Sequence, residues 1–345
     1  CMMQQMLEIL GISVLWIFLF GYVIIASIDF GAGFFNAYSL IRGNDHILSK
    51  IIKRYLSPVW EITNVFLVFF FVGIVGFFPQ TAYYYGTVLL VPASIALILL
   101  SIRGSYYAFE SYSGMSGHKG YALAYGVSGL FIPAAFSVVL TISEGGFVTM
   151  QDGNPSLDYE ALLTSPLAWA IVVLSVVAVL YISSVFLTWY AQKAGDYKAS
   201  ELMRKYALIW SGPLIVSALG IIIELKSLGS WHYDQMLHIA WLFALSGVVF
   251  LTTVWLLWKK VRYGLAVVLL TVQFAMAFFA YGISHYPYLL YPYLTIHDSF
   301  TNEAMAIAIV IAFVAGLVLL IPSLYLVFKL FFSKSYVSGK GETHV

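Results

Sequence analysis

Nine stretches of this chain stay apolar for the length of a membrane crossing. They lie near residues 9–34, 58–78, 83–102, 121–142, 162–190, 205–224, 236–258, 263–283 and 303–332. Each reaches the ~17 residues a helix needs to cross the hydrocarbon core. A chain in lipid must satisfy its backbone polar groups within a helix or a closed barrel. These runs have helical length and lack the alternation of barrel strands. The sequence therefore predicts an all-α integral membrane protein with nine transmembrane helices. Composition agrees: 61% of the 345 residues are hydrophobic and 10% charged, against about 45–50% and about 25% in a soluble chain. That is too little charge to cover a water-facing surface. The first run has no cationic leader and is read as a retained span, not a signal peptide.

The connections divide by charge. Arg42, Lys50, Lys53 and Arg54 follow the first run, and Arg103 and Lys119 the third. Lys193, Lys198, Arg204 and Lys205 follow the fifth, Lys259, Lys260 and Arg262 the seventh, and Lys329, Lys334 and Lys340 lie toward the C-terminus. With nine spans, 16 of the 17 basic residues share one side, and Lys226 is the exception. Glu144, Asp152, Asp158, Glu160, Asp298 and Glu303 fall on the other side. The positive-inside rule makes the basic side cytoplasmic, with the N-terminus outside and the C-terminus inside. The longest connections, near 143–161 and 284–302, have room only for a small helix or lid. The single cysteine, Cys1, excludes an internal disulfide or a cysteine metal cluster. A net charge of +1 gives no footing for a nucleic-acid partner. No phosphate-binding loop points to ATP-driven transport.

A few polar residues interrupt the apolar runs. Asp29 follows about twenty mostly apolar residues, and an unpartnered carboxylate in hydrocarbon is expensive. It must face protein or water, either as a proton-handling group or as a structural acceptor near a helix end. Gly31 and Gly33 suit close helix packing better than a dinucleotide site. Pro58 and Trp60 open the second run, with Pro58 in a first helical turn and Trp60 at the interface. Glu61 and Asn64 are three apart and share a helix face. Glu61 is either a proton-path residue or a charge at a helix N-terminus. Arg103 and Glu110 are about two helical turns apart. Arg103 could pair with an anionic headgroup or a cofactor carboxylate, with an ordinary positive-inside anchor preferred. Glu144, before Gly145 and Gly146, and Glu224 are read as surface residues at the ends of spans. No histidine sits deep in a span. His238 and His285 are the peripheral candidates for a haem ligand, with an ordinary interfacial role preferred.

The motifs together resemble subunit II of the cytochrome bd-type quinol oxidases. They run from Gly21-Tyr22 through Asp29-Phe30-Gly31-Ala32-Gly33 and Pro58-Val59-Trp60-Glu61-Ile62-Thr63-Asn64 to Phe78-Pro79, Arg103-Gly104 and Tyr286-Pro287-Tyr288-Leu289-Leu290-Tyr291-Pro292. Their order and spacing cover nearly the whole chain. The sequence departs from the family pattern at Ala26 and Ser27, where an Asp-Gly pair is usual, at Phe66, a common tryptophan position, and at Glu110, often arginine.

The resemblance implies two four-helix groups plus a peripheral helix. These would be residues 1–143, residues 144–284 with an outer connection, an outer connection with the ninth helix over 285–332, and a cytoplasmic tail over 333–345. It implies a non-haem subunit supporting assembly and proton delivery for oxygen reduction to water. The partner would be a larger subunit I holding b-type haems, with haem d a further candidate, and the quinol-oxidising loop. Asp29 and Glu61 would be the proton-path residues, supported by Trp60, Asn64, Arg103 and Glu110. A structural quinone, a small single-helix accessory subunit and membrane lipids complete the implied partners, in a bacterial or archaeal cytoplasmic membrane. The residues alone leave two other classes open: an ion-coupled secondary transporter, and a noncatalytic membrane assembly subunit.

Overall fold

The computed structural model describes residues 2–43, 45–112 and 119–331, without the side chains of 45–46, 53–61, 110–112 and 331. Cys1 and the tail over 333–345 lie outside the described residues. The long helices are α1 (Met2–Arg42), α2 (Asp45–Phe77), α4 (Leu90–Tyr112), α5 (Lys119–Ser143), α7 (Pro166–Lys193), α8 (Tyr197–Ser227), α10 (Ala240–Lys259), α11 (Tyr263–His285) and α12 (Glu303–Phe331). Short helices α3 (Pro79–Val88), α6 (Tyr159–Thr164) and α9 (Trp231–His238) join them. Two small antiparallel hairpins stand in the long connections. They pair β1 (Val148–Gln151) with β2 (Asn154–Leu157) and β3 (Tyr288–Leu290) with β4 (Leu294–Thr295).

The chain is an all-α integral membrane protein. Among the described residues, eight helices are long and apolar enough to cross a membrane. The count is nine if the bent pair Ile62–Phe77 and Pro79–Val88 forms one span. Three expected spans change at breaks. The fifth begins at Pro166, because 162–164 belong to α6 and Ser165 separates it from α7. The third begins at Leu90, because 83–88 belong to α3, which turns by 117° from α2. Phe78 leaves the helical region (φ −129°, ψ 67°), as the ring of a following proline requires. The seventh is interrupted at Ile239, which leaves α9 as a separate short helix. Three starts follow capping rules. Asp158, Ser165 and Asp196 accept the amide protons of Ala161, Ala168 and Ala199, at 3.0, 3.3 and 3.0 Å. Asp152 and Gly153 both take positive φ (51° and 80°), the two-residue turn that fits a twisted hairpin.

The centre of the bundle is α7, with Tyr181, Ile182, Val185 and Leu187 fully buried. It packs on α1, α5, α8 and α11, while α1 also packs on α2 and α5. Close approach of α1 and α7 depends on Gly31. A Cβ there would overlap the Ser183 side chain and stand 2.9 Å from the Val179 carbonyl oxygen. The Ser183 hydroxyl donates to the Ile28 carbonyl at 2.9 Å across the same contact. Gly31 is thus a packing residue, as expected from its surroundings. Gly31→Ala should cost about 1–3 kcal/mol through overpacking. Gly220→Ala, with nothing within 4 Å of the added carbon, should cost far less. Thermal unfolding of the purified protein in detergent checks this, and equal melting of the two variants would refute the tight α1–α7 contact.

Candidate functional site

Asp29 and Arg103 meet inside the bundle. Asp29 on α1 is 2% exposed and Arg103 on α4 is 1% exposed. Arg103 Nη2 donates to Asp29 Oδ2 at 2.9 Å and to the Asp29 carbonyl at 3.3 Å. Nη1 donates to the Tyr125 carbonyl on α5 at 2.6 Å. The Tyr125 hydroxyl donates to the other carboxylate oxygen, Oδ1, at 2.8 Å. Two aromatic faces complete the setting, with the guanidinium carbon 3.7 Å from the Tyr125 ring centroid and 4.9 Å from that of Phe30. Such contacts strengthen when desolvated. The network joins three helices and compensates both charges in place, which an intramembrane charge requires.

Glycines make room for it. A Cβ on Gly33 would stand 2.7 Å from the Tyr125 ring, and one on Gly129 would stand 2.8 Å from Arg103 Nη1. Beside the ion pair lies a cavity of about 10 Å³, lined by Tyr22, Asp29, Phe30, Thr63, Asn64, Leu100 and Arg103. That volume is about the minimum that admits one water. The site therefore brings Asp29, Asn64 and Arg103 together. The reading of Arg103 as an interfacial anchor is corrected: its charge is spent on a carboxylate 74 positions away in sequence. Glu61, Trp60 and Glu110 have side chains outside the described residues.

A second polar cluster sits at the far end of α5. Glu144 immediately follows that helix, His232 lies on α9 and His285 ends α11. All three are buried, so the surface reading of Glu144 is also corrected. His232 Nδ1 lies 2.7 Å from Glu144 Oε1, and the Tyr281 hydroxyl donates to the same oxygen at 2.5 Å. His232 Nε2 lies 2.8 Å from Ser284 Oγ. His285 Nδ1 and Nε2 face the carbonyls of Tyr288 and Ser143, at 2.6 and 3.2 Å. By contrast His238 is exposed. The cluster escaped the sequence reading because His232 sits in a polar-looking connection. Its only local signal is the neighbouring Trp231, which stacks on the His232 ring with centroids 5.2 Å apart. A third buried carboxylate, Glu8, pairs with His297 at 2.5 Å.

The Asp29–Arg103 pair makes a stability prediction. Asp29→Leu or Arg103→Met alone leaves an uncompensated buried charge and should cost about 3–5 kcal/mol. The double variant should cost much less than the sum of the two, because neither charge remains. Thermal unfolding across the four-membered mutant cycle measures the coupling. Additive losses would mean that the two side chains do not interact.

Comparison with known proteins adds three findings. The family model described as cytochrome bd terminal oxidase subunit II matches residues 7–331. A Bacillus subtilis (strain 168) protein named putative cytochrome bd menaquinol oxidase subunit II is 32% identical over 340 residues. The match spans 95% of this chain and 97% of that one. A chain in the structure of the bd oxidase from Geobacillus thermodenitrificans is 63% identical with a TM-score of 0.82. That match covers 94% of this chain and 98% of the other.

Proposed function

From the premise that this chain belongs to the cytochrome bd terminal oxidase subunit II family, we propose that it is the haem-free half of the complex and borders the path by which protons reach the oxygen-reducing site. Membership makes it a multi-pass subunit of a quinol oxidase, with a subunit I as its partner. It also sets the transporter reading aside. We read α1, α2, α4 and α5 as one four-helix group, α7, α8, α10 and α11 as the other, and α12 as peripheral. The basic side is taken as cytoplasmic, and menaquinol, named for the Bacillus relative, as the quinol.

The haem-free reading rests on the buried histidines. The rings of His232 and His285 lie 4.9 Å apart, and Trp231 and Tyr281 each pack on both. Rings that close together leave no room for a macrocycle between them. Haems held by the partner would supply oxygen binding and electron transfer.

The observation that carries the proton role is the water-sized polar cavity against the Asp29–Arg103 pair. Reduction of oxygen to water consumes protons, and oxidation of quinol releases them. Drawing the first set from the cytoplasm and releasing the second outside separates charge without a pump. Asp29, fixed by Arg103 and Tyr125, acts as an immobile charge that orients water, with Thr63 and Asn64 lining the same space. Glu61, three residues before Asn64 in sequence, is the group proposed to hand protons on.

Asn64→Leu should remove the polar wall and slow turnover several-fold at unchanged haem content, and Glu61→Gln should slow it further. Oxygen consumption per assembled haem, with proton uptake measured in proteoliposomes, is the assay. Wild-type rates and uptake in both variants would exclude the path. The orientation has its own check. Asp152→Cys and Lys198→Cys, in a background lacking Cys1, should label from opposite faces of oriented vesicles, with Lys198→Cys on the cytoplasmic side. Labelling of both from one face would overturn the topology.

A further inference from the structure

The Glu144, His232 and His285 cluster lies at the end of α5 remote from Arg103 and takes no part in the proton path. One ligand atom from each residue lies within 4.8 Å of those of the other two. The three come from different parts of the chain and are nine-tenths or more buried. Their hydrogen bonds do not close. Glu144 Oε1 faces both His232 Nδ1 and the Tyr281 hydroxyl, while Oε2 is buried with no hydrogen-bond partner. A buried acceptor left so costs about 1–3 kcal/mol, more if charged. A bound ion is one recognised reason for such an orphan.

The tautomers sharpen the case. The Ser284 hydroxyl donates its proton to the Tyr281 carbonyl at 2.9 Å. With His232 Nε2–H donating to Ser284 Oγ, the tautomer that binding through Nδ1 requires, the Nδ1 lone pair faces the carboxylate. His285 faces a carbonyl from each nitrogen. Its shorter contact, Nδ1–H to the Tyr288 carbonyl at 2.6 Å, leaves the Nε2 lone pair opposed to the Ser143 carbonyl at 3.2 Å. In these tautomers each histidine offers one lone pair to an ion beside the Glu144 carboxylate. A metal-bound histidine usually donates its second N–H to a carbonyl or similar acceptor, which is how the Tyr288 carbonyl and Ser284 are placed.

We propose that Glu144, His232 and His285 bind a divalent transition-metal ion of the zinc class. Two imidazoles and one carboxylate are an established zinc donor set, with bonds of about 2.0–2.2 Å. Nitrogen donors also suit copper, which binds more tightly in the general affinity order. The ion would tie the ends of α5 and α11 to α9 and the β3–β4 hairpin. Trp231 and Tyr291, stacked with centroids 4.7 Å apart, pack over it.

The test uses the purified two-subunit complex, stripped with chelator and re-exposed to Zn²⁺ alone. The wild type should retain one zinc per complex beyond that held by Glu144→Gln or His285→Gln, measured by elemental mass spectrometry against haem iron. Zinc-edge absorption of the wild type should show imidazole scattering with nitrogen or oxygen at about 2.0 Å. The absorption measurement needs no variant, so it decides even if a substitution prevents assembly. Equal zinc in wild type and variants, or a wild-type spectrum without imidazole scattering, would overturn the site.

Discussion

The ion pair between Asp29 and Arg103 is the constraint around which the first half of this molecule is arranged. In a membrane interior neither charge is tolerable alone. The side chains are held on different helices, so α1 and α4 must lie within one guanidinium of each other. Tyr125 binds both partners and fixes α5 as the third wall. The guanidinium fits because Gly33 and Gly129 leave the space a methyl group would fill. The small residues and the charges are therefore one device: the glycines permit the approach, and the ion pair sets where it occurs. Across α1 from this site, Gly31 repeats the arrangement against α7, with the Ser183 hydroxyl donating to the Ile28 carbonyl.

A second polar centre holds the other end. α5 carries Tyr125 near its start and is followed directly by Glu144, so one helix runs from one buried carboxylate to the other. Between them its buried positions are apolar or hydroxylated, the hydroxyls of Ser128 and Ser137 being returned to carbonyls of their own helix. The centre at Glu144 also organises the connections. His232 draws in α9, and His285 bonds to the Tyr288 carbonyl in β3 while its Nε2 lies 3.2 Å from the Ser143 carbonyl. The Tyr291 amide bonds to that same carbonyl at 3.2 Å. The long connections are thereby folded onto the helix ends.

The spans were legible because hydrocarbon leaves a backbone few options, so apolar length alone locates most of the helices. Breaks were less legible. Pro79 and the residue before it carry a local signal for the turn at Phe78, whereas Ile239 has nothing comparable around it. Charges were misread for a different reason. Arg103 ends an apolar run and resembles an interfacial anchor, and its partner is 74 residues away. Glu144 precedes two glycines that do stop the helix (φ 94° and 89°), but a helix end need not be a surface. Here the β3–β4 hairpin and α9 cover it. Pairings across such distances follow from how helices assemble, and no window of sequence contains that.

The pairing also redistributes roles along the proton path. A carboxylate gripped by a guanidinium and a tyrosine hydroxyl has its lone pairs engaged, and moving it would strand Arg103 in the bundle. Its physical use is to hold a charge at one place and so polarise whatever occupies the adjoining cavity. A group that passes protons needs the opposite setting, with room to reorient and no permanent counter-charge. In the proposed path Asp29 and Glu61 therefore have different roles, the buried pair supplying an orienting field and Glu61 passing the proton. On that proposal the chain serves the oxygen-reducing site of its partner by contributing a polar wall within an otherwise apolar bundle.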